Sequence, residues 1–303
     1  MHPAPSLVVF TVLSGLGMGM VAWIGIGVGS ESTLFGWIGG AASLVIAGLG
    51  GVASVGHLAN PKNAWRAFSQ WRSSWLSREA CLMVAAKITF SAYLAGWLLL
   101  DIRIQPLGWI ASGLALATVY ATAMIYAQLR TVPRWSAAPT PHLFIALATS
   151  GGLLAVSAIQ AVLGLEIWLA FILLWMAGAA GTALWWQTQA AGARRGFHGS
   201  TMETATGLSG LGTVRMLEPP HTGSNYLLSE MAFQVGRNRA FQLRRLGAIL
   251  GFAVPLLLAL AAWGVGGWIL IVALICHVVG MMALRWLFFA EAEHVQALYY
   301  GMK

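Results

Sequence analysis

His57 and Glu79 stand at the two rims of a polar stretch, one closing an apolar segment and the other opening the next. A histidine exchanges protons near neutral pH, and a carboxyl group withdrawn from water can hold its proton there too. Set together at a membrane boundary, the pair could serve a quinone, which takes up two electrons and two protons in an apolar pocket. A second reading is purely structural. His57 would cap the last carbonyls of its helix, and Glu79 would pair with Arg72 or Arg78.

Lys87 follows Glu79 by eight residues, about 12 Å deeper on nearly the same helix face. An ionisable group at that depth marks a functional position, with a backbone carbonyl, Tyr93 or Tyr126 as the structural alternative. Arg285 lies inside the last apolar segment, near enough to its cytoplasmic end to snorkel.

Redox metals find little support. A b-type haem needs two histidines at matching depth, and the spans offer His57, His142 and His277. His57 with His142 could match, whereas His277 has no deep partner, so two transverse haems are not expected and a single one is the upper bound. Cys81 and Cys276 are too few for an iron–sulfur cluster, which takes four ligands. The run Gly207–Gly212 has the wrong spacing for a dinucleotide fingerprint and follows no strand, so it reads as a loop.

These residues are positioned by a chain that is 58% hydrophobic and 9% charged, with mean hydropathy +0.75. That composition excludes an ordinary soluble enzyme, a disordered chain and a disulfide scaffold. A spanning helix needs roughly 20 apolar residues. Eight segments qualify: 7–29, 35–57, 80–100, 106–128, 142–164, 166–186, 244–265 and 267–289. The expectation is an all-α polytopic membrane protein, a single integral membrane domain over 1–303. The first segment is too long for a signal h-region and no Lys or Arg precedes it, so it reads as a retained helix. Continuous rather than alternating apolarity excludes a β-barrel. Gly15 and Gly19 form a small-xxx-small pair suited to close helix packing. Trp23, Trp65, Trp71, Trp75, Trp109, Trp135 and Trp286 fall near segment ends, as an aromatic belt would.

Eight spans put the N-terminus, the stretches 58–79, 129–141 and 187–243, and the C-terminus on one side. Of the 17 Lys and Arg residues that side carries all but three: Arg103 lies opposite, and Lys87 and Arg285 are inside helices. The positive-inside rule then makes both termini cytoplasmic. The same placement explains the net charge of +8 without a nucleic-acid partner. Within 58–79, Trp65, Arg66, Phe68, Trp71 and Arg72 interleave aromatics with arginines, a surface for the bilayer interface, anionic lipid or a partner. Residues 224–243 read as one or two amphipathic helices parallel to the membrane or beneath a docked subunit.

The run Gly56-His57-Leu58-Ala59-Asn60-Pro61-Lys62-Asn63-Ala64-Trp65-Arg66-Ala67-Phe68, continuing to Leu76-Ser77-Arg78-Glu79, resembles the membrane anchor subunit of dimethyl sulfoxide reductases, the DmsC family. Val9-Phe10-Thr11, Tyr126 with Thr131-Val132-Pro133-Arg134-Trp135, and the Arg285 end of the last helix extend the resemblance along the chain. It implies an anchor for an iron–sulfur electron-transfer subunit and a molybdopterin catalytic subunit, exchanging electrons with ubiquinone or menaquinone in a bacterial cytoplasmic membrane. It also implies no haem. The family's histidine and glutamate implicated in quinol binding map onto His57 and Glu79, with Arg66, Arg72, Tyr126 and Lys87 as further quinone-site or docking candidates. The stretches 58–79 and 187–243 would dock the electron-transfer subunit.

Leu217–Gly223 and the tail Trp286–His294 look like a branch similar to the membrane subunit of sulfite-oxidising molybdoenzymes (SoeC). A cytoplasmic basic face agrees with that branch. The expected role is transfer of electrons from sulfite oxidation to the quinone pool, with the sulfite chemistry itself in another chain. One alternative is the anchor of an S- or N-oxide reductase oxidising quinol. Another is a secondary transporter using Lys87, Glu79 and Arg285, against which stands the lack of an internal repeat.

Overall fold

The computed structural model describes residues 4–56, 60–196, 199–215, 217–218 and 234–300. Among the described residues all the regular secondary structure is helical. In chain order come α1 (Pro5–Gly25), α2 (Thr33–Val55), a 3-10 segment (Pro61–Phe68), α3 (Trp75–Leu99), α4 (Gln105–Ala127), α5 (Thr140–Val162) and α6 (Leu169–Gly196). There follow the short α7 (Met202–Thr206), α8 (Gln234–Ala248), a π-helical turn (Ile249–Ala253), α9 (Val254–Val265), α10 (Ile269–Ala290) and a closing 3-10 turn (Val295–Tyr300). Among the described residues eight runs are long and apolar enough to cross a membrane: α1 to α6, the continuous Ala240–Val265 helix, and α10.

α1 is the hub, packed against α2, α4, α5 and α10 and buried over most of its length. Its glycines make this possible. A Cβ on Gly17 would lie 2.7 Å from the Ala47 Cβ of α2, and one on Gly19 would run into the Ala148 carbonyl of α5. Close backbone approach gives packing contacts where lipid offers no hydrophobic drive between helices. Side-chain bonds across helices add to it: Trp23 Nε1 donates to the Thr149 carbonyl at 2.7 Å, and Ser112 Oγ to that of Ala22 at 2.8 Å. α2, α6 and the Ala240–Val265 helix are peripheral and leave most of their apolar surface to lipid.

Three local expectations are corrected. α3 begins at Trp75, not residue 80, so Glu79 lies inside the helix. The extra turn is polar yet helical because Arg78 donates to the Trp71 and Arg72 carbonyls at 3.0 and 2.6 Å and stacks over Trp75. Within 224–243, the part up to 233 lies outside the described residues. The remainder is no separate interfacial helix: α8 runs directly into the span, since Gln242-Leu243-Arg244-Arg245-Leu246 contains no helix breaker. Of the belt tryptophans, Trp23 and Trp135 are buried in the helical core, while Trp65, Trp71 and Trp109 are exposed.

The bundle has two distinct ends. At one, Val295 N–H donates to the Thr131 carbonyl at 2.8 Å, and Glu291 joins Arg134 and Arg244. At the other, Glu31 meets Arg103 at 3.2 Å, and Gln105 Nε2 donates to the Gly25 carbonyl at 2.9 Å.

Candidate functional site

The first of these ends holds a cavity of about 440 Å³. Small-molecule sites run from roughly 300 to 1,000 Å³, so it is of ligand size. Leu7 and Phe10 of α1, Gly51 and Val55 of α2, Ala67 and Phe68 of the 3-10 segment, and Leu76, Met83 and Val84 of α3 make its walls apolar. Glu79 and Tyr126 also line it, and Glu79 is only 3% exposed. Ala64, Ala67 and Phe68 bring the 3-10 segment to the cavity wall.

Glu79 is held by Thr122 of α4, whose hydroxyl is hydrogen-bonded to its carboxyl. Thr122 Oγ1 also lies 3.0 Å from the Thr118 carbonyl. A hydroxyl has one hydrogen, and this geometry lets it serve both states of the acid. It donates to an ionised Glu79; it accepts from a protonated one while donating to Thr118. Tyr126, one turn further along α4, is fixed by Trp135, Phe144, Phe288 and Phe289, with ring centroids 5.3 to 5.7 Å away. It stands within electrostatic reach of both Glu79 and Arg285.

An apolar cavity with one buried carboxyl, built by helix ends and the 3-10 segment, can be set beside known proteins. The model of the DMSO reductase anchor subunit (DmsC) family matches residues 1–184. The chain belongs to that family. It is also 32% identical to the C subunit of the sulfite dehydrogenase of Allochromatium vinosum, over 99% of both chains.

Within this DmsC-family anchor, the other candidate residues are placed as follows. His57 lies outside the described residues; Val55 and Ala64, which flank it in the chain, line the cavity. Lys87 is half-buried on α3, one turn beyond Met83, with its Nζ over Gly48 and Gly51 of α2. Since Gly51 is part of the cavity wall, the ammonium stands beside the cavity and not among its lining residues. Arg66 and Arg72 are exposed and lie over their neighbours Trp65 and Trp71, 5.6 and 5.3 Å from the ring centroids, away from the lining. His142 is exposed and packs on Trp185; His277 is 2% exposed in the core. Among the described residues no group of three or more His, Cys, Asp and Glu side chains could hold a metal ion.

Arg285 does not snorkel. It is 5% exposed, with its guanidinium 3.6 Å from the centroid of Phe144. The aromatic cluster around Tyr126 surrounds it and supplies a π face in place of water. Thr122 was not singled out from the sequence, although Thr118, Thr122 and Tyr126 recur at i+4 and so share one helix face. That stripe, polar within an apolar helix, was the available signal.

Proposed function

We propose that the chain is the membrane anchor and quinone-reactive subunit of a sulfite-oxidising molybdopterin complex, with Glu79 as the proton-delivering group of its quinone cavity. The observation that carries this is a ligand-sized apolar cavity whose wall presents one buried carboxyl held by a hydroxyl. A quinone accepts two electrons and two protons, and the residues present fit that demand. Apolar walls take the ring and the first part of the tail, and Glu79 with Thr122 holds an exchangeable proton at the carboxyl oxygen. Tyr126 closes the inner wall, and His57 supplies a second proton-exchanging group from the stretch between Val55 and Ala64.

The electrons come from an iron–sulfur subunit that receives them from a molybdopterin subunit, both docked at the basic end and both cytoplasmic. The name of the A. vinosum relative favours sulfite as the donor. The concentration of Lys and Arg at the cavity end favours the cytoplasmic side.

In the purified complex, Glu79→Gln is expected to lower sulfite-driven quinone reduction by about 100-fold or more, the range of a lost general acid. Sulfite oxidation with a soluble artificial acceptor should persist. A quinone-linked rate within about twofold of the unaltered complex would sink the assignment.

A further inference from the structure

Thr122, which holds Glu79, also lines a second and much smaller space of about 30 Å³ among α1, α4, α5 and α10. Its polar lining is Thr11, Ser14, Thr118, Thr122, His277 and Arg285, all buried. A water site needs roughly 10 to 15 Å³ on this measure and two to four polar partners, so there is room for about two waters.

The hydrogen-bonding inventory of that lining is unbalanced. Thr11, Ser14 and Thr118 donate to carbonyls of their own helices at 3.0, 2.6 and 2.8 Å, which leaves their oxygens as acceptors. Arg285 Nη1 is buried and has no hydrogen-bond partner. His277 Nδ1 lies 2.7 Å from the Gly251 carbonyl. A carbonyl only accepts, so Nδ1 carries the hydrogen and the neutral ring keeps Nε2 as an acceptor. That nitrogen faces Gly151 of α5, another lining residue, where a Cβ would lie 3.0 Å away. The sequence has prepared the histidine's own bond. Pro255 has no N–H to offer the carbonyl four residues back, that of Gly251, and the π-helical turn lies over the same residues. The residue with a donor lacking an acceptor and the residue with an acceptor lacking a donor thus line one space. Water between them would complete both.

Another space of about 30 Å³ shares Arg285 and Leu147 with the Thr122 space and is also lined by Arg134, Gln187, Arg244 and Glu291 at the basic end. The Arg244 side chain there is 37% exposed.

We infer that these two spaces form a hydrated proton route from the basic end, past Arg285 and His277, through the Thr122 hydroxyl to Glu79. The route rests on the quinone reading of the larger cavity and is separate from that cavity. For each proton that Glu79 gives up, chamber water protonates Thr122 Oγ1 and the Thr122 hydrogen passes to the vacated carboxylate. The hydroxide left behind is reprotonated by a proton relayed along the chamber waters from the aqueous end, and no electron moves along this path. Arg285 is a positioning residue: its cation turns water oxygens towards itself and their hydrogens towards Thr122 and His277. The titratable and charged groups facing the route are Glu79 of α3, Tyr126 of α4, His277 and Arg285 of α10, and at its outer end Arg134, Arg244 and Glu291.

The test uses the intact complex. The infrared C=O band of Glu79, assigned by its loss in Glu79→Gln, is followed during transfer into D2O. Thr122→Val is expected to slow hydrogen–deuterium exchange of that carboxyl by at least about tenfold, the equivalent of one lost hydrogen bond, while Thr122→Ser keeps it within about threefold. A high-resolution electron cryomicroscopy map should place ordered water within hydrogen-bond reach of both Arg285 Nη1 and His277 Nε2. Unchanged exchange in Thr122→Val would overturn the route. So would a map that shows other buried waters but none here, or the lack of a protonated Glu79 band at every pH tested. If Thr122→Val fails to assemble, the map of the unaltered complex decides. None of these readouts needs turnover, so the quinone reading stands or falls separately on the rate of Glu79→Gln.

Discussion

Glu291 is the residue that ties the basic end together. It accepts from Arg134 at 2.6 Å and also from Arg244, joining the α4–α5 connection and α8 to the end of α10. Glu291 and Arg134 are both nearly buried, whereas Arg244 reaches water. Breaking a buried pair leaves an uncompensated charge, which costs about 3–5 kcal/mol, and hydration of Arg244 lowers the cost here. Glu291→Ala should therefore destabilise the protein by about 2–4 kcal/mol, read as a lower thermal midpoint in detergent. A midpoint equal to that of the unaltered protein would show that the arginines find other acceptors. Neither this network nor the burial of Arg285 was legible in the sequence. Arg134, Arg244 and Glu291 are distant along the chain, and only the fold brings them together. Glu79 and Tyr126 were legible, because an ionisable or hydroxylated side chain at the rim of an apolar segment is conspicuous. The bond between Thr122 and Glu79 was not, since a threonine in an apolar helix usually bonds its own backbone, as Thr118 does.

The helices themselves were written plainly, since about 20 apolar residues in succession have one stable outcome in lipid. What hydropathy could not see was polar sequence that is nonetheless helical. The start of α3 is closed by Arg78 and its two carbonyl acceptors, and α8 continues a span through Arg244 and Arg245. Gly15 and Gly19 were legible as packing positions, though the partners were not: Gly19 meets Ala148 and Gly152 of α5, and Gly17 between them meets Ala47 of α2. A Cβ on Gly19 would also lie 2.7 Å from the Ala148 carbonyl carbon, and that neighbour is backbone. Gly19→Val should force α1 and α5 apart and cost at least about 1–3 kcal/mol, the range for overpacking. Retention of the unaltered melting temperature would mean that α1 is less firmly seated than its contacts imply. Gly113, where an added Cβ meets nothing within 4 Å, is the control: Gly113→Ala should be neutral or mildly stabilising.

At the scale of the molecule, the two ends differ in charge and in what they carry. The end with the cavity, the Glu291 cluster and the 3-10 segment also has nearly all the basic residues; the other has the Glu31–Arg103 pair. Single cysteines in a background lacking Cys81 and Cys276 can be labelled by impermeant maleimide in whole cells. A cysteine at Ser30 should react from outside, and one at Gln70 only after permeabilisation. The reverse pattern would place the cavity on the outer face and exclude cytoplasmic partners. The orientation is an expectation from charge counting, which the labelling would test, whereas the cavity could not be counted from the sequence. A cavity is the space left when five segments fail to fill a volume, and apolar residues that line it look no different in sequence from those that fill a core.

Several residues that line the cavity, Val55 of α2 and Leu76 and Val84 of α3, are exposed on spanning helices, so its rim lies on the lipid-facing surface. On the proposed quinone reading, the ligand would therefore enter from the plane of the bilayer, by lateral diffusion in two dimensions. Occupancy then follows the mole fraction of ligand in the lipid and not its concentration in water. A competitor of the site would gain potency in proportion to its partition coefficient and lose it as lipid is added at constant dose. Dissociation constants quoted in aqueous molarity would describe the membrane as much as the protein.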